Sequence, residues 1–279
     1  GFTAGMTHGD PQRGGRHGDE GLKIGREGLK PVFEFVAAAK AKKTPFYLWY
    51  APMMPHSPHN PPARLLDKYR DKSPSLQVAR YWAMCEWFDE TVGMLMEELR
   101  RQGQLENTIV LFLCDNGWIQ DPNSPNYAPK SKRSPYDGGI RTPILIRWPG
   151  KVEARICDDP VSSVDLAPTI LHAVGIQVPA EMPGVDLANA GAVKKREAVF
   201  GAIFEHNAVD IHQPASSLQY RWVVRGRQKL IDPAPRLGAR AKPELYDLNI
   251  DPHESANLAE RFPDRVAELR KALDRWWQP

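Results

Sequence analysis

The stretch "TIVLFLCDNGW", Thr108–Trp118, joins an apolar run directly to a carboxylate, a carboxamide and a glycine. The run up to Cys114 is continuous rather than alternating, which predicts a β-strand covered on both faces. In open α/β sheets, ligands bind beyond the carboxyl ends of the strands. Asp115 and Asn116 therefore stand where a ligand would be held, and Gly117 allows the chain to turn sharply there.

Asp115 and Asn116 offer a charged and a neutral oxygen, which are hard ligands suited to Ca²⁺ or Mg²⁺. The plain alternative is an Asn-Gly turn that binds nothing. Two oxygens are also too few for Ca²⁺, which takes about six to eight. A metal site at this strand end would need ligands from other segments.

The segments before this stretch predict helices and one further strand. Helical periodicity predicts a helix over Lys30–Lys43 and a longer one over Ser75–Gly103, where the glycine favours a helix end. The aromatic run "TPFYLWY", residues 44–50, predicts a strand. Strand, helix and strand in succession predict a βαβ unit within a parallel sheet.

The segments after it predict two domains. "TPILIRWPG", residues 142–150, predicts a strand, and Asp165–Val174 predicts a helix with Asp165 as its N-cap. From about Pro183 the β-type runs become short, and a last helix is predicted from about Pro263 to Trp277. We therefore predict an α/β domain over residues 1–183 and a smaller α+β domain over residues 184–279.

The basic segment "KSKRSPYDGGIRTPILIRWPG", residues 130–150, surrounds a Gly-Gly pair with cations. An ammonium beside a divalent metal would hold an anionic oxygen and offset charge on a leaving group. We interpret Lys130 and Arg133 as solvated. Arg141 is expected to anchor the loop through a carboxylate or a carbonyl.

Two histidines lie in the proline-rich loop "PHSPHNPP", residues 55–62. A rigid loop holds an imidazole in place at low entropic cost. Either histidine could donate to an anion, act as a general acid or bind a metal, although we interpret His59 as structural. His206, after the run "AVFGAIF", is a further candidate for contacting a ligand, with a structural turn as the alternative.

Composition excludes several classes of protein. The chain has 279 residues, of which 42% are hydrophobic and 25% charged, as in ordinary globular proteins. A net charge of +3 without a dense Lys/Arg run does not indicate a nucleic-acid partner. No apolar run is long enough to span a membrane. Cys85, Cys114 and Cys157 are too few and too scattered for a disulfide framework or a Cys-rich zinc site.

Three segments, in this order, resemble the sulfatase family of the alkaline-phosphatase-like superfamily: "YAPMMPHSPHNPP", "LFLCDNGW" and "KSKRSPYDGGIRTPILIRWPG". The later runs "RWVVRGRQKLI" and "ELYDLNIDPHESANLA" resemble the family's C-terminal tail. The resemblance covers the chain from about Gly14 to its end. It implies an α/β fold with a mixed, mostly parallel sheet flanked by helices, followed by a small antiparallel sheet with one packed helix.

The resemblance also implies roles for individual residues. Asp115 and Asn116 match the pair that helps to hold a divalent cation, usually Ca²⁺, with Mg²⁺ as the alternative. His56 and Lys132 match the histidine and lysine that contact the sulfate or the leaving oxygen, so both are implied to bind substrate and to act in catalysis. His206 lies near where the family often places substrate contacts. The implied reaction is hydrolysis of a sulfate ester, with the leaving oxygen protonated by a histidine or a lysine.

One part of the family pattern is missing from this sequence. The family's nucleophile is a formylglycine made in a Cys/Ser-x-Pro/Ala-x-Arg motif, and no such motif occurs here. The early Asp-Asp metal ligands and the lysine after the nucleophile motif are missing too. We expect the chain to be the C-terminal portion of a sulfatase whose formylglycine lies in an absent N-terminal part, and to be inactive alone.

Two alternatives stay open beside a sulfatase fragment. One is a phosphodiesterase or phosphonate hydrolase of the same superfamily, although Lys132 with the Tyr-Asp-Gly-Gly run favours a sulfatase over a two-zinc phosphatase. The other is a non-catalytic, binding-only product of a split gene. The resemblance implies a sulfated small molecule or glycan as substrate and a periplasmic or secreted location, although the sequence contains no signal peptide. Neither the resemblance nor the sequence predicts an oligomeric state.

Overall fold

The computed structural model of the chain describes residues 2–5, 12 and 22–279. It divides into two compact units, Gly1–Ile109 with Gln120–Tyr127 and Val110–Ile119 with Ala128–Pro279. Most of the Gly-rich opening expected to be a loop, including His8 and His17, lies outside the described residues. Within the described ranges, no helix is both long enough and apolar enough to cross a membrane. The domain boundary near residue 183 stays a prediction.

The first unit contains three helices, α1 (Lys30–Ala41), α2 (Ala63–Tyr69) and α3 (Leu76–Arg101). The Ser75 side chain caps α3 by accepting a hydrogen bond from the Val78 amide at 3.3 Å. Gly103, just beyond α3, has a φ of +69°, which glycine adopts without strain. The predictions of helices over Lys30–Lys43 and Ser75–Gly103 are confirmed to within two residues at each end.

The strand predicted at residues 44–50 is wrong, because this segment forms no β-ladder with any described residue. Its side chains do alternate as in a strand. Leu48 and Tyr50 pack against the core around Leu29, whereas Tyr47 and Trp49 are 58% and 67% exposed. An alternating pattern fixes which side chains face inward, but a strand also needs a hydrogen-bonded neighbour.

The second unit contains two sheets. β1 (Val110–Leu113) pairs with β2 (Ile144–Arg147), and β3 (Val199–Phe204), β4 (Leu218–Arg225), β5 (Gln228–Pro233) and β6 (Glu244–Asp247) pair in that order. All of these pairs are antiparallel. The predicted C-terminal antiparallel sheet is therefore confirmed.

The described strands contain none of the parallel pairing that was predicted. The predicted βαβ unit joined residues 44–50, α3 and β1, and it is absent because residues 44–50 pair with no described strand. The four-residue helix α4 (Asp137–Ile140) lies between β1 and β2, which pair antiparallel. β1 is also not covered on both faces, because Leu113 of β1 is 37% exposed and Leu145 of β2 is 60% exposed.

The remaining helices are α5 (Leu166–Ala173), α6 (Ala190–Lys194) and α7 (Pro263–Trp276). α7 covers the four-stranded sheet, as predicted for the last helix. Leu269 and Leu273 of α7 are fully buried in one cluster with Val223, Leu230 and Leu245 of the sheet. This cluster is the core that fixes the sheet on which part of the candidate site is built.

Asp165 does not cap α5, which corrects the sequence prediction. Its carboxylate is fully buried and forms an ion pair with Arg196, with 2.6 Å between Arg196 Nη1 and Asp165 Oδ2. It also accepts hydrogen bonds from the amides of Ser162 and Val185 at 2.8 and 2.9 Å. A buried carboxylate needs such partners, and a partner 31 residues away is not visible in the local sequence.

Candidate functional site

The end of β1 carries Asp115 and Asn116 in the order that the sequence suggested. Asp115 Oδ1 accepts a hydrogen bond from the Asn116 amide, and the Asn116 side-chain nitrogen donates to the Gly117 carbonyl, both at 2.9 Å. The second Asp115 oxygen and the Asn116 side-chain oxygen accept no hydrogen bond from the described part of the chain. These two oxygens are the groups that could bind a cation.

Three glycines bring the end of β1, the basic loop and α4 into backbone contact. The Gly117 amide donates to the Gly139 carbonyl at 2.8 Å. A Cβ added at Gly117 would lie 2.3 Å from the Gly138 oxygen, and one added at Gly139 would lie 2.2 Å from the Ser131 oxygen. Because both obstacles are backbone atoms, only glycine fits. This contact fixes the start of the basic loop, which carries Lys132.

The Tyr-Asp-Gly-Gly run is held by a buried charge cluster, which we define as Lys229, Asp137 and Glu254. Lys229 Nζ lies 2.8 Å from Asp137 Oδ1 and 2.7 Å from Glu254 Oε1. Glu254 Oε2 also accepts a hydrogen bond from the Asp137 amide at 2.6 Å. Lys229 is 0% exposed and Glu254 is 2% exposed. Burial raises the pKa of Glu254, and the nearby Lys229 ammonium opposes that shift.

Lys130 is exposed, in agreement with the prediction that it is solvated, and it also has partners within the chain. Its ammonium donates to the Glu254 carbonyl and lies 4.4 Å from the centre of the Tyr136 ring. A cation over an aromatic face is attracted by the ring, so Lys130 ties the loop to the tail. The side chain of Arg141, the expected anchor, is 75% exposed, and its Nη1 lies 3.8 Å from Asp137 Oδ2, a distance at which a surface pair contributes little.

Asp115, Asn116 and His206 line the same cavity, of about 810 Å³, in the second unit. Arg133, which we had interpreted as solvated, is exposed but also lines this cavity. Lys132, which precedes Arg133 in the chain, is half-buried. Its ammonium lies 5.7 Å from the centre of the Trp118 ring. The structure thus brings three of the five candidate residues to one cavity.

His56, the fifth candidate, lies in the first unit and is half-buried. Its Nδ1 lies 2.9 Å from the Ser57 carbonyl oxygen. Because a carbonyl can only accept, this contact favours the tautomer with the proton on Nδ1. His59 follows in the same loop. Burial and, after it, the nearby His56 lower the pKa of the His59 imidazole, which favours the neutral ring.

Arg26 holds the histidine loop, and sequence reasoning missed it. Its guanidinium donates to the carbonyls of Met53, His56 and Pro58 at 3.2, 3.4 and 3.3 Å, and to the side-chain oxygen of Asn60. The five N–H donors of a guanidinium suit such a set of acceptors. No local signal identifies Arg26, because its partners lie 27 to 34 residues further along the chain.

The described residues fit part of a cation site. They contain no group of three or more His, Cys, Asp or Glu side chains that could hold a metal. Asp115 and Asn116 supply two hard oxygens, whose chemistry suits Ca²⁺, but Ca²⁺ takes about six to eight. A complete site would need ligands in addition to this pair.

Comparison with known families gives two matches that together cover most of the chain. A family profile described as "Sulfatase" matches residues 27–176, which is more than half of the chain. A profile described as "N-sulphoglucosamine sulphohydrolase, C-terminal" matches residues 127–277. The first match includes His56, Asp115, Asn116 and Lys132, and the second includes His206.

Curated relatives and solved structures agree with these matches. An ulvan-active sulfatase of Formosa agariphila is 30% identical, with 67% of this chain and 36% of that protein covered. Arylsulfatase K of Bos taurus is 30% identical, with 74% and 37% covered. The crystal structure of Ps i-CgsB matches with a TM-score of 0.72 at 23% identity, over 92% of this chain and 55% of that one. The α/β fold is therefore that of the alkaline-phosphatase-like sulfatases, and the chain spans about a third of the length of these two curated relatives.

Proposed function

The chain belongs to the sulfatase family, and from this premise we propose that it forms part of an enzyme that hydrolyses sulfate esters. The observation that carries the proposal is the cavity shared by Asp115, Asn116 and His206, with Arg133 at its wall. Carboxylate and carboxamide oxygens would hold a cation, and the cationic and imidazole groups would attract an anion. A divalent metal with nearby cations is the usual way to bind a tetrahedral dianion or monoanion.

In this proposal each candidate residue has a distinct task. Asp115 and Asn116 would hold Ca²⁺, with Mg²⁺ as the alternative, and such a cation would supply positive charge against the sulfate. Lys132 binds a sulfate oxygen. His56 or Lys132 supplies the proton to the alcohol oxygen that leaves as the S–O bond breaks. His206 contacts the organic part of the substrate.

We also propose that the chain is the C-terminal portion of a longer sulfatase. It spans 36% and 37% of the two curated relatives and contains no Cys/Ser-x-Pro/Ala-x-Arg motif. The formylglycine nucleophile and the other metal ligands would lie in an N-terminal part, so the chain alone would be inactive. A sulfated glycan or small molecule would be the substrate, in keeping with the name of the ulvan-active relative. By the family resemblance, the protein would be periplasmic or secreted.

The test is to express the complete reading frame and to compare hydrolysis of sulfate, phosphate and phosphonate esters. We expect turnover of the sulfate esters, lost on treatment with a chelator and restored by Ca²⁺. Asp115→Ala should lower this turnover by about a hundredfold or more, because a metal ligand is removed. Asp158→Ala, which removes an exposed carboxylate that does not line the cavity, is the matched control and should keep the turnover. Preference for phosphate or phosphonate esters, or an unchanged rate in Asp115→Ala, would contradict the proposal.

A further inference from the structure

Aromatic side chains are frequent among the residues that line the cavity with Asp115. Five of its nineteen lining residues are aromatic, against 9% of residues in the chain as a whole. We define the four rings that contact one another as the aromatic wall: Phe200, Phe204, Trp276 and Trp277. The fifth, Trp222, pairs with Gly201 and so lies on the sheet face opposite Phe200.

The rings of the aromatic wall support one another. Phe200 and Trp276 stack with centroids 5.5 Å apart at 11°, and Trp276 meets Trp277 edge-on at 6.1 Å. Phe204 lies 6.0 Å from Trp277. Such contacts between rings fix each side chain in one orientation. The aromatic wall is therefore a preformed surface, whose side chains are already oriented before a ligand binds.

One position on β3 accommodates the fifth aromatic lining residue, Trp222. A Cβ added to Gly201 would lie 2.3 Å from the Trp222 ring, on the neighbouring strand β4. Glycine within a strand weakens the strand and marks a place where something else must approach closely. Here the close approach belongs to Trp222, whose ring lies against the backbone of β3 and lines the cavity.

The wall leaves apolar surface open next to polar groups. Trp276 and Phe204 are 40% and 42% exposed, which keeps large apolar side chains in contact with solvent. The same cavity is lined by Asp115, Asn116 and His206. Its occupant should therefore have an apolar face for the rings and hydrogen-bonding groups at its edge.

We propose that the aromatic wall is a sugar-binding subsite, on which the C–H face of a pyranose ring stacks while its hydroxyl groups meet the polar side of the cavity. A pyranose ring has this combination of an apolar face and a polar rim. A flat aryl group would cover the wall equally well but would leave the polar side chains without partners, which is unfavourable. This inference deepens the proposed function and rests on it for the position of the sulfate at Asp115 and Asn116.

The first test separates ring stacking from sulfate hydrolysis in the full-length protein. Trp276→Ala should raise KM for a sulfated tetrasaccharide about tenfold, the loss expected for one stacked ring. It should leave KM for a small aryl sulfate unchanged. Trp82→Ala in the first unit is the matched control, because Trp82 is 39% exposed and also meets a neighbouring ring, that of Tyr69. An equal rise for the aryl sulfate would overturn the proposal, because the wall would then be an aryl site.

The second test needs no turnover, so it distinguishes failure of the subsite from failure of the proposed function. Tryptophan fluorescence is titrated with ulvan, carrageenan and chondroitin sulfate tetrasaccharides. Saturable quenching that persists in Trp82→Ala and is lost in both Trp276→Ala and Phe204→Ala supports the subsite, even if no sulfate ester is hydrolysed. Trp276 also stacks on Phe200, so its removal alone could disturb packing. Phe204→Ala therefore removes a second ring of the wall while that stack stays in place. Absence of quenching in the unmodified protein, or quenching kept in both wall variants, would overturn the proposal.

Discussion

Replacement of Lys229 by methionine should destabilise the second unit strongly. Lys229 is fully buried and lies between two carboxylates, at 2.8 Å from Asp137 and 2.7 Å from Glu254. Methionine keeps most of the apolar side-chain volume and removes the charge. The variant would leave the buried Glu254 carboxylate and the largely buried Asp137 carboxylate without the cation that lies between them.

The expected loss is about 3–5 kcal/mol of unfolding free energy, the typical effect of removing one partner of a buried ion pair. Lys242→Met is the matched control. Lys242 is 71% exposed and lies 3.2 Å from Glu260, which is 86% exposed, so its removal should change stability little. Urea unfolding followed by tryptophan fluorescence at pH 7 gives both values.

The loss should also depend on pH. Burial raises the folded-state pKa of Glu254, and removing Lys229 removes the charge that opposes this shift. A group whose pKa is raised by folding contributes stability below its unfolded value, here about 4.5, and loses it as pH rises through the folded value. The difference between Lys229→Met and the unmodified protein should therefore shrink as pH falls from 7 towards 4.5.

Two results would refute this reasoning. One is a loss in Lys229→Met no larger than in Lys242→Met, which would mean that the charge cluster contributes nothing beyond a surface pair. The other is a large loss that stays constant with pH, which would assign the effect to packing rather than to the two carboxylates.

Three further substitutions test the structure elsewhere, each by urea unfolding. Gly139→Ala should lower the free energy of unfolding by about 1–3 kcal/mol, because the added Cβ would clash with backbone oxygen atoms. In the control Gly191→Ala the added Cβ has its nearest atom at 3.4 Å, so the change should be neutral or stabilising. Equal effects of the two substitutions would contradict the clash. Asp165→Ala should cost about 3–5 kcal/mol by leaving Arg196 unpaired and nearly buried, and a loss below about 1 kcal/mol would contradict the buried pair. Ser75→Ala should cost about 1 kcal/mol, the usual effect of losing an N-cap, and an unchanged stability would contradict the cap.

The sequence was most informative where the structural cause is local. Both long helices of the first unit were predicted because helical periodicity and, for the second, a terminal glycine are signals that act within a few residues. The C-terminal strands were predicted from short β-type runs between turns. In contrast, the alternation at residues 44–50 fixed which side chains face inward but not whether a neighbouring strand pairs with them.

The site was only partly predictable for the same reason. Asp115 and Asn116 were recognised from the abrupt end of an apolar run, and the cavity unites them with His206. Their roles as ligands stay predictions. Arg26 and the aromatic wall were missed, because their partners are distant along the chain and each residue alone looks like an ordinary arginine or core aromatic.

The charge cluster has a consequence for any attempt to exchange parts between sulfatases. The predicted domain boundary near residue 183 suggests itself as the place to graft the C-terminal portion of another sulfatase in order to change substrate specificity. Yet Asp137 on one side of that boundary depends on Lys229 and Glu254 on the other. A chimaera that imports a foreign C-terminal portion must therefore bring a lysine and a glutamate matched to its host's aspartate, or the graft will loosen the loop that carries Lys132.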